Sequence, residues 1–201
     1  MERSPSGPRG YFGIGVERLG KPGNLGDLMR TAHAFGASFF FTIDSALDAA
    51  AVQAADTSLA GLHLPVYAYT KATEFFLPEK CVLVGVEIAD HAVELPSFRH
   101  PPCAAYVLGP EHGSLSPELL ARCDHVVRIP SRFCIHVGMA GALVMYDRLL
   151  STGHHAPRPE HAGGPLPESP PMPPLDAMIR SNLRRDGESP HSADPTKGEH
   201  R

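Results

Sequence analysis

Short apolar runs that alternate with helix-patterned segments constrain this chain more than any other feature. Tyr11–Val16, Ser38–Ile43, Leu64–Tyr69, Cys81–Ile88, Ala104–Leu108 and His125–Ile129 read as strands. Most are apolar at nearly every position rather than at every second one, the pattern of strands covered on both faces. Between them, Leu25–Phe35 places Leu25, Leu28, Met29, Ala32 and Phe35 on one helical stripe, ended by Gly36. Ala46–Ala55 and Lys71–Phe76 read as further helices. Ser116–Ala121 opens with Ser-Pro-Glu, an N-cap followed by proline at the first helical position. Val137–Leu150 is a long apolar helix, with Gly138, Ala140, Gly141 and Ala142 keeping it slim, and it reads as buried on most sides. The alternation defines an α/β fold, a mainly parallel sheet with helices on both faces. Ligands of such sheets sit beyond the carboxyl ends of the strands. Three loops therefore matter most: Pro22–Arg30, Gly109–Leu115 and Pro130–Gly138.

The pattern stops near residue 151. Ten of the 21 prolines and five of the 12 histidines fall in residues 152–201, which carry few branched aliphatics and no sustained period. Such a segment buries too little apolar area to offset its ordering entropy, so a largely flexible Pro/His-rich tail is expected. Within it, Leu175–Arg185 has the composition of a short basic helix or of a solvated stretch. Residues 1–10 form a shorter arm, leaving residues 11–151 as the folded domain. The start has no apolar run before a cleavage site, and nothing approaches a membrane span, so a cytoplasmic protein is expected.

With 18 Lys+Arg against 22 Asp+Glu the formal net charge is −4, which excludes nucleic-acid binding by bulk positive charge. An RNA site would have to be a local patch. Cys81, Cys103, Cys123 and Cys134 lack metal-ligand spacing, so no metal is expected and the thiols read as buried and free. Neither a G-x-G-x-x-G nor a Walker sequence is present, leaving the usual dinucleotide and nucleoside triphosphate readings without support.

Taken singly, the three loops are ambiguous. Asn24 is as well placed to cap a helix beginning at Leu25 as to bind a ligand. Arg30 is a surface charge or a functional one. Gly109-Pro110-Glu111-His112-Gly113 is a tight turn or a site. In order, however, Asn24–Ala37 (NLGDLMRTAHAFGA), Tyr106–Pro130 (YVLGPEHGSLSPELLARCDHVVRIP) and Phe133–Asp147 (FCIHVGMAGALVMYD) resemble the three motifs of the SpoU/TrmH-type RNA 2′-O-ribose methyltransferases of the SPOUT superfamily. The likeness covers about Tyr11–Leu150.

That resemblance implies properties that no periodicity could supply. The fold would end in a trefoil knot, an exception to the rule against threaded chains. S-adenosylmethionine would lie against Gly85, Val86 and Glu87, Leu108–Glu111 (Leu108, Gly109 and Pro110 foremost), Ile129–Ser131, and Cys134, Ile135 and Val137. Arg30, Asn24 and Glu111 would be the catalytic residues. Asn24, Arg30, Arg18, Lys21, Arg132 and His136, with Arg128 nearby, would face the substrate, a tRNA or a ribosomal RNA. The chain would form a homodimer through its C-terminal helix. The third motif departs from the family, which has serine and asparagine where this chain has Cys134 and His136. An imidazole is bulkier than an amide and can become cationic. A ring that keeps one of the amide's hydrogen bonds preserves activity; one that does not leaves a weakened enzyme, or a non-catalytic relative that binds AdoMet or RNA.

Overall fold

The computed structural model describes residues 10–45, 64–110, 113–153, 155 and 162. The chain divides into two units, Met1–His155 and Ala156–Arg201, and the architecture below is that of the first. The expected helix Ala46–Ala55, Glu111 and His112, the first nine residues of the arm and the segment Leu175–Arg185 lie outside the described residues.

Seven strands make one sheet: β1 (Tyr11–Glu17), β2 (Phe39–Ile43), β3 (Val66–Tyr69), β4 (Val82–Val86), β5 (Val93–Glu94), β6 (Cys103–Leu108) and β7 (His125–Arg128). Their order is β3-β2-β1-β6-β4-β7-β5, and every pairing is parallel. The α/β reading holds. The sequence did not reveal β5, because two exposed residues carry no periodicity. Helix α1 (Pro22–Ala34) starts three residues before the apolar stripe, since proline loses nothing at a first helical position whose N–H needs no partner. Asn24 therefore sits inside the first turn and is not the cap; Lys21 takes that place with no side-chain bond. The expected helix Lys71–Phe76 is only a single 3₁₀ turn, Ala72–Glu74. Helix α2 (Pro117–Leu120) is capped as its sequence suggests, Ser116 Oγ accepting from Leu119 N at 3.2 Å. Helix α3 runs from Val137 to Thr152.

Strand alternation divides the apolar residues into two cores. Phe12, Ile14, Val16, Phe40, Val84, Tyr106 and Val127 face α1 and α3, meeting Leu25, Leu28, Met29, Val144 and Met145. Phe41, Ile43, Leu83, Ala105 and Val107 face the other way, onto Phe75 and α2 with Leu115 and Leu119. The two long helices approach closely at Gly141, where a Cβ would run into Leu28 Cδ1. Within the single chain, one side of α3 is buried. Met139, Leu143, Tyr146 and Leu150 lie exposed at spacings of four, three and four, one apolar stripe along the outer face.

A buried polar chain ties α3 to the sheet at the amino ends of the strands. Arg148 NH1 donates to Tyr106 Oη at 3.2 Å and to Pro101 O at 2.6 Å, and its NH2 to Pro102 O at 2.7 Å. Tyr106 Oη lies 2.5 Å from His100 Nδ1, and His100 Nε2 lies 2.9 Å from Asp147 Oδ2. Two influences on His100 conflict: burial pushes its ring below the ordinary value, while the bond and charge of Asp147 push it up and Arg148 pushes it down again. Burial prevails, because the side chain is fully enclosed. The neutral ring then accepts from the tyrosine and donates to the aspartate. A histidine depressed in the fold refuses a proton that the unfolded chain accepts below about pH 6.5. Stability is thus complete above that pH and declines as pH falls through it. Thermal melts at pH 7.5 and 5.5 should show a drop of a few degrees that a His100→Phe variant lacks; equal drops in both proteins would locate the acid sensitivity elsewhere.

Candidate active site

The carboxyl ends of β4, β6 and β7 open into one cleft of about 700 Å³, the open solvent at its mouth included. Its walls are Val86, Glu87 and Ile88 after β4, Leu108, Gly109, Pro110 and Gly113 after β6, Ile129, Ser131, Cys134 and Ile135 after β7, and Val137 and Ala140 at the start of α3. Glu111 lies outside the described residues, Pro130 does not line the cleft, and ten of the other eleven expected cofactor positions are gathered in one place. Gly85 is not among them. A Cβ there would lie 3.0 Å from Cys123 Sγ and 3.3 Å from Leu115 Cδ1, so its open side faces the second core instead of the cleft. Ile88, Gly113 and Ala140 line the cleft without having been anticipated; no motif marks them, because they contribute shape alone.

Two carboxylates hold the loop after β6. Glu87 accepts from Leu115 N at 2.7 Å through Oε2 and from Ile88 N at 2.8 Å through Oε1. Glu17, 2% exposed, accepts from Ser116 N at 2.7 Å and from Ser116 Oγ at 2.5 Å. A buried carboxylate is tolerated when donors surround it, and these donors come from the loop it positions. Gly109 fits between them: a Cβ there would stand 3.2 Å from Leu115 N. Glu17 escaped sequence reasoning because nothing local distinguishes it from a charge ending a strand.

The basic residues divide into two groups. Arg18 NH2 donates to Ser114 O at 2.5 Å and lies 3.6 Å from Glu17, so it braces the loop. Arg128 pairs with Glu94 at 3.0 Å on the surface. Lys21, Arg30 and Arg132 are exposed, and their side chains make no hydrogen bond or ion pair with another described residue. Arg30 does not line the cleft; it lies six residues beyond Asn24, about 9 Å along α1 and roughly a third of a turn around it. Asn24 Oδ1 is 3.0 Å from His136 Nε2, and His136 Nδ1 accepts from Gly138 N at 3.2 Å, which caps α3. Both ring nitrogens are engaged within the protein, leaving neither for RNA.

The cysteines prove less buried than expected: Cys134 is exposed at the cleft, and the other three are partly covered. Burial pushes the Cys123 thiol up to about 11. Among the described residues no cluster of His, Cys, Asp and Glu could hold a metal, and no helix is long and apolar enough to cross a membrane.

The cleft's walls are mostly aliphatic, with one carboxylate, Glu87, among them. Comparison with known proteins gives this a family. The model of the SpoU rRNA Methylase family matches residues 12–146, and the chain belongs to that family. An rRNA methyltransferase from Sinorhizobium meliloti superposes with a TM-score of 0.63 at 19% identity, covering 72% of this chain and 57% of that one. The SpoU methyltransferase AviRb from Streptomyces viridochromogenes, in complex with AdoMet, gives 0.59 at 22% identity over 71% of this chain and 60% of that one. A structure described as an RNA 2′-O ribose methyltransferase gives 0.60 at 26% identity over 75% and 59%. The first two likenesses establish the fold alone. The chain spans about three fifths of the length of these structures. No curated protein matches it in sequence.

Proposed function

We propose that this protein transfers a methyl group from S-adenosylmethionine to a ribose 2′-hydroxyl of tRNA or ribosomal RNA. The observation that carries the reading is the single cleft shared by the loops after β4, β6 and β7. Val86, Leu108, Ile129, Ile135 and Val137 would hold the adenosine between aliphatic walls, with main-chain groups of Gly109, Pro110, Ser131 and Cys134 around it. Glu87 places negative charge on the wall, favourable to a cationic sulfur. When bound, the cofactor supplies a methyl group activated on a sulfonium. The remaining work belongs to the chain. An aliphatic cleft excludes water, so an oxygen nucleophile and a cation combine with little solvent to rearrange. Arg30 would bind the phosphate beside the target ribose and stabilise negative charge developing on the ribose oxygen; a guanidinium is too weak a base to remove the hydroxyl proton, which would pass to a phosphate oxygen or to water. Asn24 would contact the ribose or phosphate, and Glu111 would orient the loop or Arg30. Lys21 and Arg132 supply the local positive patch that a net-acidic chain requires.

The knot and the dimer belong to the same proposal. Ile129, Ser131, Cys134 and Ile135 line the cleft beside the loops after β4 and β6 just before the chain enters α3, as a threaded C-terminus would. The apolar stripe Met139, Leu143, Tyr146 and Leu150 suits a helix buried against a second copy, with the intact chain sedimenting as a dimer.

Calorimetry should give micromolar AdoMet affinity, on the order of −8 kcal/mol. A ribose-methylation map of total RNA with and without the protein should lose a defined site, naming both RNA and nucleotide. No binding at millimolar AdoMet would defeat the reading of the cleft. Binding with an unchanged map would leave a non-catalytic AdoMet-binding relative.

A further inference from the structure

We infer that Phe133 is a substrate-binding residue that stacks on an unpaired nucleobase of the RNA; the inference rests on the methyl-transfer reading above. Phe133 is 75% exposed, the most exposed large apolar side chain among the described residues. Its place gives that exposure a meaning. Ser131 and Cys134, close on either side of it in sequence, line the cleft, and so does Ile88, 55% exposed, from the loop after β4. Lone apolar side chains are ordinary on a protein surface. Two on loops that wall one cleft, one of them an aromatic ring, make an apolar rim where a substrate meets the cofactor. The turn that carries the ring is held by its own polar groups. Ser131 N donates to Ile129 O at 2.7 Å, and Ser131 Oγ donates to Phe133 O at 2.9 Å. The ring is thus presented from a fixed backbone.

Chemistry selects a base as the occupant. A ribose at the cleft carries its base one bond away and a phosphate on each side. Every base has a flat π-face, and an aromatic side chain stacks on it whatever the base's identity. Arg132, the preceding residue, is exposed, and its side chain is unpaired among the described residues. One short turn therefore offers a cation for the phosphate and a ring for the base, the two contacts that single-stranded RNA takes from proteins. Bases within a duplex are already stacked on one another and present no free face. The ring accordingly assigns the methylated nucleotide, or its neighbour, to an unpaired stretch.

The chain contains no tryptophan, so Phe133→Trp places its sole indole at this position. The full-length variant is titrated at low salt, where phosphate contacts are strongest. A single-stranded oligoadenylate of about twelve nucleotides should quench the indole saturably. An abasic phosphodiester chain of equal length should not. Phe133→Ala should weaken binding of the same oligoadenylate about tenfold. Phe133→Leu, apolar but without a π-face, should lose nearly as much, and Phe133→Tyr should stay near the wild type. Melting temperature and AdoMet affinity should hold in all of them, because the ring neither packs in a core nor lines the cleft. Absence of quenching, equal quenching by the abasic chain, or undiminished binding by Phe133→Ala overturns the inference. So does a loss of AdoMet affinity equal to the loss of RNA affinity, which would make the ring structural. An indole already blue-shifted without RNA and unmoved by it also overturns the inference, by placing a second copy of the chain on the ring. If the quench and the tenfold loss appear but the wild type methylates no RNA, the methyl-transfer reading fails and the stacking assignment stands.

Discussion

Arg30→Ala should slow methyl transfer by about 10²–10³-fold, the usual cost of removing one group that stabilises developing charge, and should leave the AdoMet dissociation constant within about twofold of wild type. The asymmetry follows from placement. Arg30 is exposed on α1 and absent from the cleft's lining, so the cofactor has nothing to lose when it goes. The RNA phosphate and the reacting oxygen would lose their cation. Arg30→Lys should recover only part of the rate, because an ammonium presents a point charge in place of a planar fork. Binding and single-turnover measurements on one preparation separate the two effects. Equal losses of cofactor affinity and rate would make Arg30 a structural residue.

Arg148→Met should cost the fold on the order of 3 kcal/mol, a fall in Tm of about 10 °C. Arg148 is 7% exposed, and its guanidinium supplies donors to two carbonyls and a phenol, all along the path from α3 to β6. It also stands 5.3 Å from the centre of the Phe12 ring, so its charge rests on an aromatic face. Methionine retains the stem's packing, which isolates the lost hydrogen bonds. Set against a typical domain stability of about 5–15 kcal/mol, the loss is severe but survivable. A urea titration showing less than about 0.5 kcal/mol would mean that water replaces the guanidinium without penalty.

The sheet was legible in the sequence because six of its strands are long enough to carry a pattern, and because parallel strands buried on both faces are apolar throughout. Composition and period could give neither their order nor the partner of each strand. The three loops were legible for a different reason: their residues recur as motifs, and the fold then brings ten of the thirteen expected cofactor positions together. Gly85 illustrates the limit. It shares a strand with Val86 but points to the opposite face, and a motif records position along the chain without recording face. Arg18 and Arg128 show the same limit for charge. Both read as free cations in sequence, yet one is held by Ser114 O and Glu17 and the other by Glu94. Glu17 was illegible because its partner, Ser116, lies 99 residues away. The polar chain through His100, Tyr106, Asp147 and Arg148 was hidden likewise, as two charged residues near the end of an apolar helix announce no partner.

The bonds that shape the cleft span 28 residues from Glu87 to Leu115, 99 from Glu17 to Ser116 and 112 from Asn24 to His136. Contacts so distant in sequence form late, after the loops between them have been closed at an entropic cost. During synthesis, the first strand and α1 leave the ribosome some hundred residues before Ser116 and His136, which bond Glu17 and Asn24 in the fold. A nascent or truncated chain that ends before α3 has no complete cleft. On the proposed reading, readiness to bind the methyl donor reports that the whole domain has been made.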